Sequence, residues 1–162
     1  MDVLTKVKKS ISDLPFILKI FEFEEGSTKT SEMAAEQLGV EAAQIAKSML
    51  FICGDKPILV VTCGDMKVKQ GRLKRIAGVK PRFASYDECK KITGYEPGGM
   101  CPFALKKEIE VLLDKSIERF DKVYAAAGTA NTAVPLDIEQ LSYITKGKIV
   151  EVCEPKMGQV NE

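Results

Sequence analysis

Lys47 stands in an apolar run where an ordinary surface lysine is out of place. Taken as a strand, this run puts Ile45, Lys47, Met49, Phe51 and Cys53 on one face. Ala46, Ser48, Leu50 and Ile52 fall on the other, which is also mostly apolar. An ammonium withdrawn from water needs an acceptor. A ligand's carbonyl oxygen, carboxylate or phosphate would supply one. The plain alternative is a lysine at the strand's open end that reaches out to water.

A second candidate is the loop from Thr93 to Phe103, which carries Gly94, Gly98, Gly99, Pro97 and Pro102. Glycines let a ligand approach peptide N–H groups closely, and such groups can stabilise a developing oxyanion. A tight structural turn has the same composition. The phosphate-loop pattern G-x-x-x-x-G-K-[ST] is missing. A third stretch, Ala125 to Ala133, is built of small residues around Gly128, Thr129, Asn131 and Thr132. It leaves room for a ligand beside a strand end, or for close packing of a helix. Cys101 has no histidine to favour its thiolate, so it reads as a pocket wall rather than a nucleophile.

Composition narrows the chemistry further. The chain has 162 residues, no histidine and no tryptophan. Ser-His and Cys-His pairs, a histidine base and a His-rich zinc site are therefore excluded. The five cysteines (Cys53, Cys63, Cys89, Cys101 and Cys153) include no C-x-x-C pair. They fit reduced thiols better than a disulfide framework. No apolar run approaches the ~20 residues of a membrane span, and the first ten residues do not form a signal peptide. A cytoplasmic protein with no metal, no cofactor and no membrane contact is expected. Net charge is only +1, yet seven of the 24 basic residues fall between Lys67 and Arg82 with no acid among them. Such a segment is either a solvated helix face or a landing site for a polyanion.

These residues must be positioned by a regular framework. Periodicity predicts a helix over Val3–Leu14, ended by Pro15, and a strand over Phe16–Phe23. Thr30 or Ser31 caps a helix running to Leu38, stopped by Gly39. Strands at Ala46–Cys53 and Ile58–Cys63 flank the turn Gly54-Asp55-Lys56-Pro57. The basic segment reads as a helix with Leu73, Ile76 and Ala77 turned inward. A short strand at Arg82–Ala84, a helix at Tyr86–Lys91, strands at Ile109–Leu113, Val123–Ala127, Ala133–Leu136 and Ile149–Cys153, and a helix at Asp137–Tyr143 complete the set. The expected fold is α/β of the α+β type. It is a single domain over residues 1–153 with a mixed, largely antiparallel, curved or barrel-like sheet surrounded by helices. Residues 154–162 read as a polar, frayed tail.

Taken together and in order, the three stretches resemble the YbaK-like aminoacyl-tRNA deacylases, which include the editing insertion domain of bacterial prolyl-tRNA synthetase. The matching residues are Leu38-Gly39-Val40 with Gln44 to Leu50, Thr93-Gly94-Tyr95 with Gly98 to Phe103, then Gly128 and Leu141. Gly98-x-x-x-Pro102 is the family's G-x-x-x-P element. The resemblance implies trans-editing, the hydrolysis of a small mischarged amino acid (Cys, Ala or Ser) from tRNA, with tRNA(Pro) the expected carrier. It implies catalytic roles for Lys47, Gly98 and Gly99. It places Phe21, Thr30, Met100, Cys101, Pro102, Gly128, Thr129, Asn131 and Thr132 around the substrate. Lys69, Arg72, Lys74 and Arg75 are then the expected tRNA contacts. Aminoacyl-tRNA is the expected partner, and a prolyl-tRNA synthetase a further one. The other reading is a binding module of the same fold that recognises aminoacyl or nucleotide groups without hydrolysis.

Overall fold

The computed structural model describes residues 2–156. Helix α1 (Val3–Ser12) opens the chain, with Asp2 as its N-cap accepting from the Thr5 N–H at 2.7 Å. Its apolar stripe buries Val7 and Ile11. The segment from Phe16 to Ile20 alternates half-buried and exposed residues as a strand would, but pairs with no strand among the described residues. Only β1 (Phe21–Glu22) forms, against Thr132–Ala133. Helix α2 (Ser31–Leu38) starts at Thr30, whose Oγ1 accepts from the Met33 N–H, and stops at Gly39 in the left-handed conformation.

The centre of the molecule is the hairpin of β2 (Ala46–Cys53) and β3 (Lys56–Cys63), paired from Ala46–Cys63 to Cys53–Lys56. Strand β4 (Met66–Val68) follows, then α3 (Gln70–Ala77), β5 (Pro81–Phe83) and α4 (Tyr86–Thr93). The second half adds β6 (Glu110–Asp114), β7 (Val123–Ala125), β8 (Thr132–Leu136), α5 (Ile138–Thr145), β9 (Lys148–Val150) and β10 (Cys153–Pro155). Short 3-10 turns cover Ala42–Gln44 and Lys115–Arg119.

The strands form three sheets, ordered β5-β2-β3-β6-β9, β1-β8-β7 and β4-β10. Most neighbours are antiparallel, while β3–β6 and β6–β9 are parallel. The expectation of a mixed sheet with outer helices therefore holds. No closed barrel forms among the described residues; a single parallel bridge, Ile45 with Tyr124, links the two larger sheets.

Alternation along β2 and β3 divides the core in two. Ala46, Leu50, Leu59 and Val61 face the larger cluster, with Met100, Phe103, Val134 and Leu141. Phe51, Ile58 and Val60 face a smaller one, with Leu73 of α3, Leu112 and Val152. Ile76 of α3 was expected inside but is 40% exposed. Leu73 and, partly buried, Ala77 pack against the sheet, and Ile76 lies around the side. The expected strand Ile149–Cys153 is split instead into β9 and β10. The break is fixed by Asp114, buried at the end of β6, whose Oδ1 accepts from the Val152 and Cys153 N–H groups at 3.0 Å each. Strand β10 pairs with β4, so Glu154 and Pro155 belong to the ordered sheet rather than to a frayed tail. Residues 157–162 of the expected tail lie outside the described residues.

Candidate functional site

Strand β2 changes character along its length. Its last four residues, Leu50 to Cys53, are buried, with β3 on one edge and β5 on the other. Strand β5 then leaves the sheet. Its last bond is Ala84 N–H to Leu50 O at 3.0 Å, after which Ser85 becomes the N-cap of α4 through a reciprocal capping box with Glu88. On the same edge, β7 is bridged only at Ile45, just before β2. A cleft of about 350 Å³ opens where neither strand covers β2.

Its walls come from several parts of the chain, Cys89 of α4 among them. The start of α2 contributes Thr30 and Ser31, and β2 contributes Ala46 to Leu50. The end of β5 gives Phe83 and Ala84, the glycine loop gives Gly98 and Met100, and the β7–β8 region gives Tyr124, Ala126 and Thr132. The lining is mostly apolar with a few polar groups, the usual make-up of a small-molecule site.

Lys47 is an exposed residue on the rim of this cleft. This position at the strand's open end leaves the ammonium within reach of both water and the cleft. Partial burial holds its pKa below the ordinary lysine value. The charge of Lys156 adds to this, and Glu32 opposes it. Lys47 has no ion pair among the described residues.

Five expected site residues therefore line one space: Lys47, Thr30, Gly98, Met100 and Thr132. The other expected site residues do not line it. Gly99 donates its N–H to Glu96 O at 3.1 Å, closing a turn. A Cβ there would lie 2.8 Å from Gly128 O, so this glycine permits two loops to touch. Gly128 has φ +99°, and a Cβ on it would meet Val3 Cγ1 at 2.4 Å. Cys101 and Pro102 are buried and do not line the cleft. Burial pushes the Cys101 thiol up to about 11, which keeps it protonated and unreactive at neutral pH. Asn131 ties its loop to the first strand, with Nδ2 donating to Phe23 O at 2.9 Å. Thr129 lies in the same turn, where its carbonyl accepts from the Thr132 hydroxyl at 2.9 Å. Phe21 sits on the outer strand under the Lys19 ammonium. The Thr93-Gly94-Tyr95 stretch is an anchor. Thr93 Oγ1 accepts from the Tyr95 N–H, and the buried Tyr95 hydroxyl donates to Phe103 O.

The four expected tRNA contacts lie away from the cleft, on α3 and the residue before it. Lys69 pairs with Glu154 at 3.6 Å, and Arg72 donates to Cys153 O at 2.7 Å. Both hold β10 in place. Arg82, in the same basic stretch, makes a bidentate pair with Glu88 at 2.8 and 2.9 Å. Lys74, Arg75 and Lys80 are exposed and make no ion pair among the described residues.

Sequence reasoning did not single out Ser48, Phe83, Ala84 or Tyr124 as cleft residues, while Ala126 belongs to the small-residue stretch it did single out. The alternation that assigned β2 its faces contained Ser48, but which edge of a strand stays unpaired is not written in that alternation. Among the described residues, no group of three or more Cys, Asp or Glu is arranged to hold a metal ion. No helix is long and apolar enough to cross a membrane.

Comparison with known proteins places this architecture. The family model of the aminoacyl-tRNA editing domain matches residues 25–143. The protein YwhH of Bacillus subtilis is 41% identical over 132 residues, covering 80% of this chain and 84% of its own. A proline–tRNA ligase of Bacillus licheniformis is 36% identical over 107 residues, covering 65% of this chain but 18% of the ligase. A crystal structure described as a candidate trans-editing enzyme for prolyl-tRNA synthetase superposes with a TM-score of 0.89 at 26% identity. The match covers 95% of this chain and 98% of that one. Lys47, the glycine loop and the cleft all lie within the matched span, and the chain belongs to the aminoacyl-tRNA editing domain family.

Proposed function

We propose that this protein is a trans-editing deacylase that hydrolyses the ester between a small amino acid and the terminal adenosine of a tRNA. The observation that carries the reading is the cleft itself, about 350 Å³, with a lysine on its rim and a mostly apolar lining that includes the small residues Ala46, Ser48, Gly98, Ala126 and Thr132. That volume is at the low end for ligand sites. It takes an aminoacyl group and part of an adenosine, while the acceptor stem stays outside.

In the proposed reaction, water adds to the ester carbonyl carbon. The carbon–oxygen bond to the ribose breaks, the ribose oxygen leaves with a proton, and the free amino acid departs. The Lys47 ammonium holds the aminoacyl carbonyl or the terminal adenosine. The Gly98 loop shapes the opposite wall. Met100, Ala126 and Thr132 leave room for Ala, Ser or Cys side chains and exclude larger ones. One methylene gives a synthetase only about 10–200-fold discrimination, so a second, smaller pocket adds a useful sieve.

Relatives support tRNA(Pro) as the carrier. Alongside the proline–tRNA ligase and the trans-editing structure above stands EbsC of Enterococcus faecalis. It is 25% identical over 126 residues and is named as a candidate Cys-tRNA(Pro)/Cys-tRNA(Cys) deacylase. Within the Lys67–Arg82 stretch, Lys74, Arg75 and Lys80 are left to meet acceptor-stem phosphates.

The test is deacylation of Ala-, Ser- and Cys-tRNA(Pro) by the wild type and by Lys47→Ala. Hydrolysis of one member that the variant loses is the expected outcome and names the substrate. Binding of all three with hydrolysis of none would make the protein a recognition module instead.

A further inference from the structure

The open edge of β2 carries a matched donor and acceptor. In an antiparallel ladder, residues alternate between bonding one neighbour strand and turning both peptide groups to the other side. The Leu50 carbonyl is bonded by Ala84, on the β5 side. Leu50, Ser48 and Ala46 therefore turn their peptide groups away from β3, and Lys47, Met49 and Phe51 bond it. Ala46 lies beside the Ile45–Tyr124 bridge, and Leu50 lies beside Ala84. Ser48, midway, faces the cleft with N–H and C=O both lacking a hydrogen-bond partner among the described residues. An unpaired strand edge is a template for a further extended segment.

We infer that the Ser48 peptide groups bind the aminoacyl end of the substrate as a one-residue strand. The substrate's ammonium donates to Ser48 C=O, and its ester carbonyl accepts from Ser48 N–H. This rests on the deacylase reading above. The match is one of chemistry. An aminoacyl ester carries one donor and one acceptor on either side of a single Cα, the pattern that a hydrogen-bonded residue pair exchanges.

The register then fixes the remaining groups. The substrate continues the direction of β5, which runs antiparallel to β2. Its ester oxygen and ribose therefore point toward Lys47. Directly paired residues project their side chains to the same face of a sheet. The amino-acid side chain thus enters on the face of Ala46 and Leu50, whose cluster includes Met100. Ser48 N–H meets the oxygen that becomes negative when water adds, so it serves as an oxyanion donor. The Ser48 N–H is dispensable to the fold, because it does not point at β3.

The first experiment follows the Ser48 amide by NMR in the wild-type protein, using 3′-deoxy-3′-(L-alanylamino)adenosine as a stable analogue. The Ser48 amide is expected to exchange rapidly when free, then to shift downfield and become protected on binding. The second compares Ser48→Pro, which removes the N–H and also fixes φ and restricts Lys47, with Ser48→Ala, which keeps the N–H. Proline is expected to lower kcat/KM on the hydrolysed aminoacyl-tRNA by about 10²–10³ relative to alanine, the usual loss for one oxyanion donor. A Ser48 amide that stays unprotected while Gly98 and Ala126 shift would overturn the inference. So would a folded Ser48→Pro variant as active as Ser48→Ala. Wild-type protein that hydrolyses no aminoacyl-tRNA, yet protects Ser48 with the analogue, would end the deacylase reading and keep the docking edge.

Discussion

The two halves of strand β2 obey the same alternation and do different work. From Leu50 to Cys53 the strand has a neighbour on each edge and buries every residue. From Ala46 to Met49 it has β3 alone, exposes Lys47 and forms the floor of the cleft. The difference comes from β5, which is only three residues long and gives way to the cap of α4. A central strand thus becomes a binding edge where its neighbour ends. The buried half supplies the rigidity that a positioned lysine requires.

Five measurements break or sharpen that contrast, from the largest effect to the smallest. Phe51 is fully buried and packs on Phe83 with ring centroids 4.5 Å apart. Phe51→Ala is expected to cost about 3–5 kcal/mol in urea unfolding. Lys47→Ala in the other half is expected to leave the unfolding midpoint nearly unchanged. It is expected instead to lower kcat/KM by about 10²–10³, the scale of one lost electrostatic contact to a developing charge. A Lys47 variant that unfolds early would make the lysine structural and erase the contrast.

Gly128→Ala probes the wall behind the cleft. Its positive φ and the 2.4 Å approach to Val3 Cγ1 predict a loss of about 1–3 kcal/mol by thermal denaturation. A neutral result would show that α1 shifts freely and does not brace the site. Reversing Lys74 and Arg75 to glutamate is expected to weaken tRNA binding and to flatten its salt dependence by about one unit of slope per lost phosphate contact. Hydrolysis of a small aminoacyl-adenosine ester is expected to be unaffected. Equal losses on both substrates would place α3 at the cleft after all.

The smallest effect is a titration. The Arg82 guanidinium and the Ser85 N–H hold the Glu88 carboxyl down at about 2. Its folded value lies below the ordinary one, so its contribution to stability is present above the ordinary carboxylate range. That contribution is lost as pH falls toward about 2. Arg82→Ala is expected to move the Glu88 carbon resonance's midpoint up toward ordinary glutamate. An unmoved midpoint would assign the depression to the helix cap alone.

Local chemistry made much of the framework legible. Thr30 and Asp137 accept from backbone N–H groups of the helices they cap, and Gly39 takes the left-handed conformation that ends α2. The apolar run Ala46–Cys53 is a strand over that span. Failures came where a distant partner decided the outcome. Phe16–Phe23 has the composition of a strand but pairs at only two residues, Phe21 and Glu22, against Ala133 and Thr132 of β8. Strand β4 is too short to show a period, and it exists because β10 returns to pair with it. The Lys67–Arg82 segment reads as uniformly basic. The fold then brings Glu154 to Lys67 and Lys69, and Glu88 to Arg82.

The candidate site divides in the same way. The sequence by itself determined the residue types: a lysine in an apolar strand, a glycine and proline loop, a stretch of small residues, and no histidine to act as a base. It also determined the strand and cap signals that follow from nearest-neighbour sterics and local hydrogen bonding. Only the tertiary structure decided which glycines serve the cleft and which let backbones touch. The spacing of Gly98, Gly99 and Gly128 says nothing of what lies 3 Å away. Only the tertiary structure left one edge of β2 open at Ser48. Side-chain alternation reports the faces of a strand, while the pairing of its edges depends on strands far away in the chain.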